Sequence, residues 1–249
     1  MSAISRLFSK SVSAKERIDL SKVGTDMHSH LIPGIDDGAP TIEESTNLIK
    51  ALCEFGYTRL ITTPHIMSDF FKNTPENIMK GLEQLKKIVK ETGIPVEIEA
   101  AAEYYVDFEF ISLLNQNKLL TLGDNYVLIE LSLYNPPSNL KEIIFELQTA
   151  NYKVILAHPE RYSYWYPEMD NFRDLHERGV YFQLNIGSLT GSYGGVTRKI
   201  AEKLIHYNMI SFLGTDTHGK RHIQMIKELL RNKLLKQLIE SGVLLNNTL

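Results

Sequence analysis

Along the chain, short runs of β-branched and other apolar residues alternate with longer stretches in which apolar positions recur every three or four residues. The first pattern predicts buried strands and the second amphipathic helices. Seven strands are placed this way: Val23 to Met27, Arg59 to Thr63, Val96 to Ala102, Tyr126 to Ile129, Val154 to Ala157, Tyr181 to Leu184 and Ile210 to Gly214. Helices fall between them. One starts at Thr41, where Thr41 and Glu44 have the spacing of a capping box; another has Pro75 in its first helical position after Thr74 and ends before Gly93. Further helices are expected over Asn139 to Ala150, Asp170 to Arg178, Val196 to Tyr207 and His222 to Ile239. Repeated strand–helix units predict an α/β fold, a barrel more than a doubly wound sheet, although counting units leaves both open.

Without a repeat, low-complexity segment or linker to divide it, the chain reads as one domain over residues 23–249 behind a leader, residues 1–22. In the leader, Arg6, Lys10, Lys15, Arg17 and Lys22 outweigh Glu16 and Asp19, with Ile4, Leu7 and Phe8 between them. That pattern suits a short surface-seeking helix; a partly ordered extension is the preferred reading.

Composition narrows the function. The 249 residues hold 27 Lys+Arg against 30 Asp+Glu, a net charge of −3, so no positive field exists to hold nucleic acid. No apolar run is long enough to span a membrane, and the N-terminus lacks the continuous apolar stretch of a secretory signal, which predicts a cytoplasmic protein. The single Cys53 forbids an internal disulfide and any multi-cysteine zinc site. A bound metal would need His and carboxylate ligands.

Those residues are placed to serve. Six of the seven strands run into one or more of them: Asp26-Met27-His28-Ser29-His30, Thr63-Pro64-His65, Glu103, Glu130, Ala157-His158-Pro159, and Asp216-Thr217-His218. Only the strand ending near Asn185 lacks an ionisable ligand. In parallel α/β folds the carboxyl ends of the strands open on one face, so these distant positions are expected to converge. Taken singly, each has a bland alternative, such as a capping His or a salt-bridged core carboxylate. Taken together, so many titratable groups in one mouth are too costly to bury unless cations offset them. The spacing of His28 with His30, and of Asp216 with His218, puts each pair on one side of an extended segment.

These motifs, with Asp36-Asp37-Gly38-Ala39-Pro40 and Ala157-His158-Pro159-Glu160-Arg161-Tyr162, resemble the PHP (polymerase and histidinol phosphatase) superfamily. Within it the chain is most similar to the metal-dependent protein-tyrosine phosphatases of bacterial capsule and exopolysaccharide systems. The resemblance runs from about Thr25 to about His222 and implies a distorted (βα)7 TIM-like barrel of PHP type with three divalent metal ions. It implies His28, His30, Glu103 and Asp216 around one ion. Glu103 would bridge to a second, held also by Glu130 and His158, and Asp37, His65 and His218 would hold the third. Imidazole and carboxylate ligands without thiolate suit manganese first, with iron or zinc as alternatives.

The resemblance further implies that Arg161 grips substrate phosphate, with Arg221 as the candidate second arginine and His218 as a candidate proton donor to the leaving group. The implied substrate is a phosphotyrosine protein or peptide, such as the tail of a bacterial tyrosine kinase. Two rivals are a histidinol-phosphate phosphatase or another phosphoesterase of the same architecture, and a catalytically silent metal-binding scaffold. Oligomeric state is not legible.

Tyr104, Tyr105 and the run from Tyr162 to Tyr166 follow ligand positions. They read either as aromatic walls for a phenyl ring or as anchors on the barrel rim. Cys53 to Arg59 has the Cys-x5-Arg spacing of thiolate phosphatases, but here a helix end precedes a strand, the reverse of the order that activates the thiolate. Cys53 therefore reads as a packing residue. The glycine-rich segment 191–195 reads as a loop that flanks the mouth.

Overall fold

The computed structural model describes residues 17–249. The leader positions Ile4, Leu7 and Phe8 lie outside the described residues. Among the described residues nine strands form: β1 (Thr25–Asp26), β2 (Arg59–Thr62), β3 (His65–Ile66), β4 (Glu97–Ala100), β5 (Glu103–Tyr105), β6 (Tyr126–Glu130), β7 (Lys153–Ala157), β8 (Tyr181–Asn185) and β9 (Ile210–Gly214). All ladders are parallel, in the orders β1-β2-β4 and β3-β5-β6-β7-β8-β9. β2 and β3 are one strand path interrupted at Thr63-Pro64, and β4 and β5 are another interrupted at Ala101-Ala102, so seven paths match the seven predicted.

The first and last paths meet. A parallel bridge joins Ser29 to Thr217, the His30 amide donates to the Thr217 carbonyl at 3.0 Å, and the Asp216 amide donates to the His28 carbonyl at 2.8 Å. At the opposite end the buried Asn246 spans the same seam. Its Nδ2 donates to the carbonyls of Thr25 (2.9 Å) and Leu213 (2.7 Å), while its Oδ1 accepts the Leu213 amide (3.0 Å).

Alternation along the strands sorts the side chains. Inside the ring, Met27, Ile61, Ala101, Leu128, Ile155 and Phe212 form one apolar cluster, whereas Leu60, Val127, Ile129, Leu156, Leu184 and Leu213 face the helices in a larger one. Two or four residues beyond the inner set, on the same face, come His65, Glu103, Glu130 and Asp216. An apolar floor therefore lies beneath a titratable mouth.

Among the described residues eight α-helices surround the strands: α1 (Ile42–Glu54), α2 (Pro75–Thr92), α3 (Phe108–Asn115), α4 (Leu140–Thr149), α5 (Asp170–Glu177), α6 (Gly195–His206), α7 (Lys220–Leu229) and α8 (Lys233–Glu240). α2 starts as its sequence predicts, with Pro75 inside a reciprocal cap between Thr74 and Asn77, and stops at Gly93 in the left-handed conformation. In α1, Thr41 caps the Glu44 amide, but the Glu44 side chain goes to Lys220 at 3.3 Å instead of completing the box. The single terminal helix expected from His222 to Ile239 is two helices, because Asn232 leaves helical geometry and caps α8 through the Leu235 amide. α3 was not anticipated; Asp107 starts it by accepting the amides of Glu109 and Phe110. Residues 17–22, counted with the leader by sequence, pack on the barrel: Leu20 is buried and the Ile18 amide donates to the Leu230 carbonyl. Among the described residues no helix is long and apolar enough to cross a membrane.

Candidate metal centre

The structure brings all nine sequence-predicted ligand residues to the barrel mouth. Strand register does much of this: His65 is the direct partner of Glu103, and Glu130 is the partner of Tyr105 two residues further on. His158 and Asp216, just beyond β7 and β9, have left-handed backbone (φ 32° and 51°). Such conformations cost about 1–3 kcal/mol for a residue with a Cβ and need strong local support. Support comes from the Arg161 amide donating to the His158 carbonyl (2.9 Å) and from His218 Nδ1, 2.9 Å from the Asp216 carbonyl, which can only accept.

The deepest group is the buried set of His28, His30, Glu103 and Asp216. His28 Nε2 lies 3.2 Å from Glu103 Oε2 and 3.4 Å from Asp216 Oδ1; His30 Nε2 lies 3.4 Å and 3.6 Å from the same atoms. His158 Nε2 approaches Glu103 Oε1 at 3.0 Å and Glu130 Oε1 at 3.5 Å. Nearer solvent, Asp37 Oδ1 lies 3.5 Å from His65 Nε2 and 3.3 Å from His218 Nε2. The decisive atom is Glu103 Oε2. Three imidazole nitrogens surround it at 3.1–3.4 Å, His65 Nδ1 being the nearest, yet neither Glu103 Oε2 nor His65 Nδ1 has a hydrogen-bond partner. Buried donors and acceptors that crowd together without bonding to one another fit a shared cation, at ligand-to-ligand distances suited to metal–ligand bonds of about 2.0–2.2 Å.

Charge follows the same plan. Burial alone would lower His28, but Glu103 and Asp216 outweigh it and raise its pKa to about 9. His30 is likewise raised well above an ordinary imidazole, against burial, by Asp36 and Glu103. Burial opposes ionisation of Glu103, yet His28 and His65 hold it well below the carboxylate range. Glu130 goes the other way, raised by burial and by the charge of Glu103. Burial lowers His65 to about 4.

Above these groups opens a pocket of about 320 Å³, lined also by Arg161, Tyr193, Met67 and His222. Arg161 lies 3.7 Å from Asp216 Oδ2 and stacks over the Tyr193 ring at 5.4 Å. Arg221 is exposed, and its guanidinium reaches the Ser192 carbonyl (3.4 Å) outside the pocket lining. Adjacent helical residues diverge by about 100°, and the one from this segment that lines the pocket is His222.

The aromatic residues take the rim-anchor alternative. Tyr104, Tyr162 and Trp165 are buried in the outer core, with the Tyr104 hydroxyl accepting the Leu120 amide and the Tyr162 hydroxyl bridging Ala157 and Leu131. The aromatic wall is Tyr193, from the glycine-rich loop. Cys53 sits near the end of α1, while Arg59 opens β2 and pairs with Glu99, so no thiolate loop forms.

Sequence reasoning also missed Asp36, whose Oδ2 is 2.7 Å from His30 Nδ1 and accepts the His65 amide. Its only signal was adjacency to Asp37.

Comparison with known proteins gives concordant results. Residues 24–246 match the family described as capsular polysaccharide synthesis, CpsB/CapC. The tyrosine-protein phosphatase YwqE of Bacillus subtilis is 30% identical over 195 residues, 78% of this chain and 77% of the relative. The tyrosine-protein phosphatase CpsB of Streptococcus pneumoniae is 25% identical over 200 residues, 78% and 82% of the two chains. A crystal structure from the pair YwqE and CpsB, described as unique metal-dependent tyrosine phosphatases, superimposes with a TM-score of 0.75 at 27% identity, covering 87% of this chain and 91% of the other.

Proposed function

The chain belongs to the CpsB/CapC capsular polysaccharide synthesis family, and from that premise we propose that it is a metal-dependent protein-tyrosine phosphatase whose ligands are the nine residues at the barrel mouth. The observation that carries this reading is Glu103 Oε2, unbonded between the Nε2 atoms of His28 and His30 beneath a pocket lined by an arginine. In the proposed assignment His28, His30, Glu103 and Asp216 hold one ion. Glu103, Glu130 and His158 hold a second, and Asp37, His65 and His218 a third. Manganese is the ion proposed, with iron or zinc compatible with the same donors. Bound divalent ions would acidify water to make a nucleophile at neutral pH and offset charge on the phosphoryl oxygens.

The chain's own groups do the rest. Arg161, a quarter exposed and backed by Tyr193, offers a planar fork to the non-bridging phosphoryl oxygens. Tyr193 and Met67 provide the apolar contact for a phenyl ring. The His218 proton is committed to the Asp216 carbonyl, which leaves Nε2 free for a metal. His222 Nδ1 accepts the His218 amide at 3.4 Å, so its Nε2 carries the proton of the neutral ring and donates a hydrogen bond to the departing phenolate. The phenolate, with a conjugate acid of pKa about 10, needs no stronger acid. The proposed natural substrate is the tyrosine-rich tail of a bacterial tyrosine kinase, met in the cytoplasm.

The test is hydrolysis of a phosphotyrosyl peptide by the full chain. Chelation is expected to abolish it and manganese to restore it, with Cys53→Ser fully active and His158→Ala reduced by at least about 100-fold. Histidinol phosphate offered in competition should be the poorer substrate. Undiminished turnover in excess chelator, or loss on Cys53→Ser alone, would overturn the proposal.

A further inference from the structure

The strand that carries no ionisable ligand has a part to play. Gln183 and Asn185, successive inward-facing residues of β8, are fully buried directly behind the deepest ligands. Gln183 Oε1 lies 2.8 Å from His28 Nδ1 and accepts the His158 backbone amide at 3.2 Å. Gln183 Nε2 donates to Asn185 Oδ1 at 2.8 Å, and Asn185 Nδ2 donates to Asp216 Oδ2 at 2.6 Å.

The two ends of this chain determine the direction of every bond in it. A backbone N–H can only donate, so the Gln183 atom facing it is the carbonyl oxygen. That oxygen can only accept, so His28 carries a proton on Nδ1. The Gln183 nitrogen must then face the Asn185 oxygen, which turns the Asn185 nitrogen to Asp216, whose carboxylate accepts. His28 is thereby left with Nε2 toward the cup, and Asp216 Oδ2 is engaged so that Oδ1 faces it. Those are the two atoms that lie 3.4 Å apart in the deepest ligand group.

Space has been cleared for the arrangement. A Cβ on Gly214 would fall 2.6 Å from Gln183 Nε2 and 2.7 Å from His28 Cβ, so the last residue of β9 must be glycine for this amide to sit where it does.

We infer that Gln183 and Asn185 are positioning residues, a directional amide relay that sets from one strand both the tautomer of His28 and the oxygen that Asp216 presents to metal. The inference rests on the metal-centre reading proposed above and adds to it the origin of the ligands' orientation. A buried polar pair that merely packed would satisfy its neighbours without favouring one nitrogen of His28.

Three substitutions separate these roles in the metal-stripped full chain titrated with zinc alone. Asn185→Asp sets two carboxylates against each other. Gln183→Glu keeps the acceptor for His28 but loses the donor to Asn185. Gln183→Leu removes both. Zinc affinity is expected to fall about 10–100-fold in each. In metal-stripped protein labelled with 15N-histidine, at a pH high enough for the ring to be neutral, His28 should keep its Nδ1 proton in the parent, in Asn185→Asp and in Gln183→Glu, and lose that single tautomer in Gln183→Leu. The two near-isosteric variants carry the affinity test should Gln183→Leu fail to fold. Affinities within about twofold of the parent in both near-isosteric variants overturn the relay, as does an unchanged His28 tautomer in a folded Gln183→Leu. Failure of the parent to bind zinc overturns the metal reading and the relay with it; parental binding with unaffected variants overturns the relay alone.

Discussion

His28 is the residue on which the electrostatics of the mouth turn. Its folded pKa of about 9, raised against burial by Glu103 and Asp216, stands above the 6.5 of a free imidazole. A raised histidine contributes stability that is complete below pH 6.5 and is lost as pH rises through 9. His30, also raised, acts in the same direction. The melting temperature of the metal-stripped chain is therefore expected to fall from pH 6.5 to 9 in scanning calorimetry. Saturating manganese should flatten that fall, because the ion takes the place of the protons. A stripped chain whose melting temperature held level or rose across the window would contradict the ion pairing described for His28. At this scale the convergence of the charged residues was legible, because Asp, Glu and His beyond short apolar runs have few other reasons to recur. Gln183, Asn185, Asp36 and Tyr193 were not. A neutral amide or a lone tyrosine takes its meaning from the side chain it meets across the barrel, which local sequence does not record.

Among the elements, the seam between β1 and β9 is where ring closure depends on a side chain. Asn246 stands in for a ladder rung there, bonded to Thr25 and twice to Leu213. Asn246→Ala leaves three buried backbone groups unpaired and should destabilise the chain by about 3 kcal/mol, read from urea unfolding of the metal-stripped protein. Ala at the exposed Asn47, within α1, is the control, with little change expected. Strands were read well from sequence because each is a short apolar run between breakers, and α2 because Thr74, Pro75 and Gly93 punctuate it. The break between α7 and α8 was hidden. Apolar periodicity continues across Leu229 and Leu230, and only the capping bond of Asn232 reveals a new start. α3 was hidden for the opposite reason: Phe108, Phe110, Ile111, Leu113 and Leu114 spread apolar residues over more than half of the helix surface and blur its period.

For the whole molecule, the cup draws its groups from six of the seven strand paths, so the ions proposed there would together cross-link all but one of them. Anything that binds only the folded state stabilises it by mass action, about 2.7 kcal/mol at a hundredfold excess over its dissociation constant. Loading is expected to raise the melting temperature of the whole chain in one cooperative transition and to slow proteolysis throughout it, not merely at the mouth. Protection confined to the mouth loops, seen by hydrogen exchange, would argue against a shared centre. The barrel was legible from the repetition of strand and helix, whereas the joining of its two ends was not, since Ser29 meets Thr217 through backbone atoms that carry no signature. That meeting has a consequence during synthesis. On the ribosome, His28 and His30 emerge well before Asp216 and His218, which lie beyond the seventh strand path. The deepest group of the mouth cannot be assembled before β9 has formed, so metal binding by the proposed set would be a late event, after that strand has taken its place.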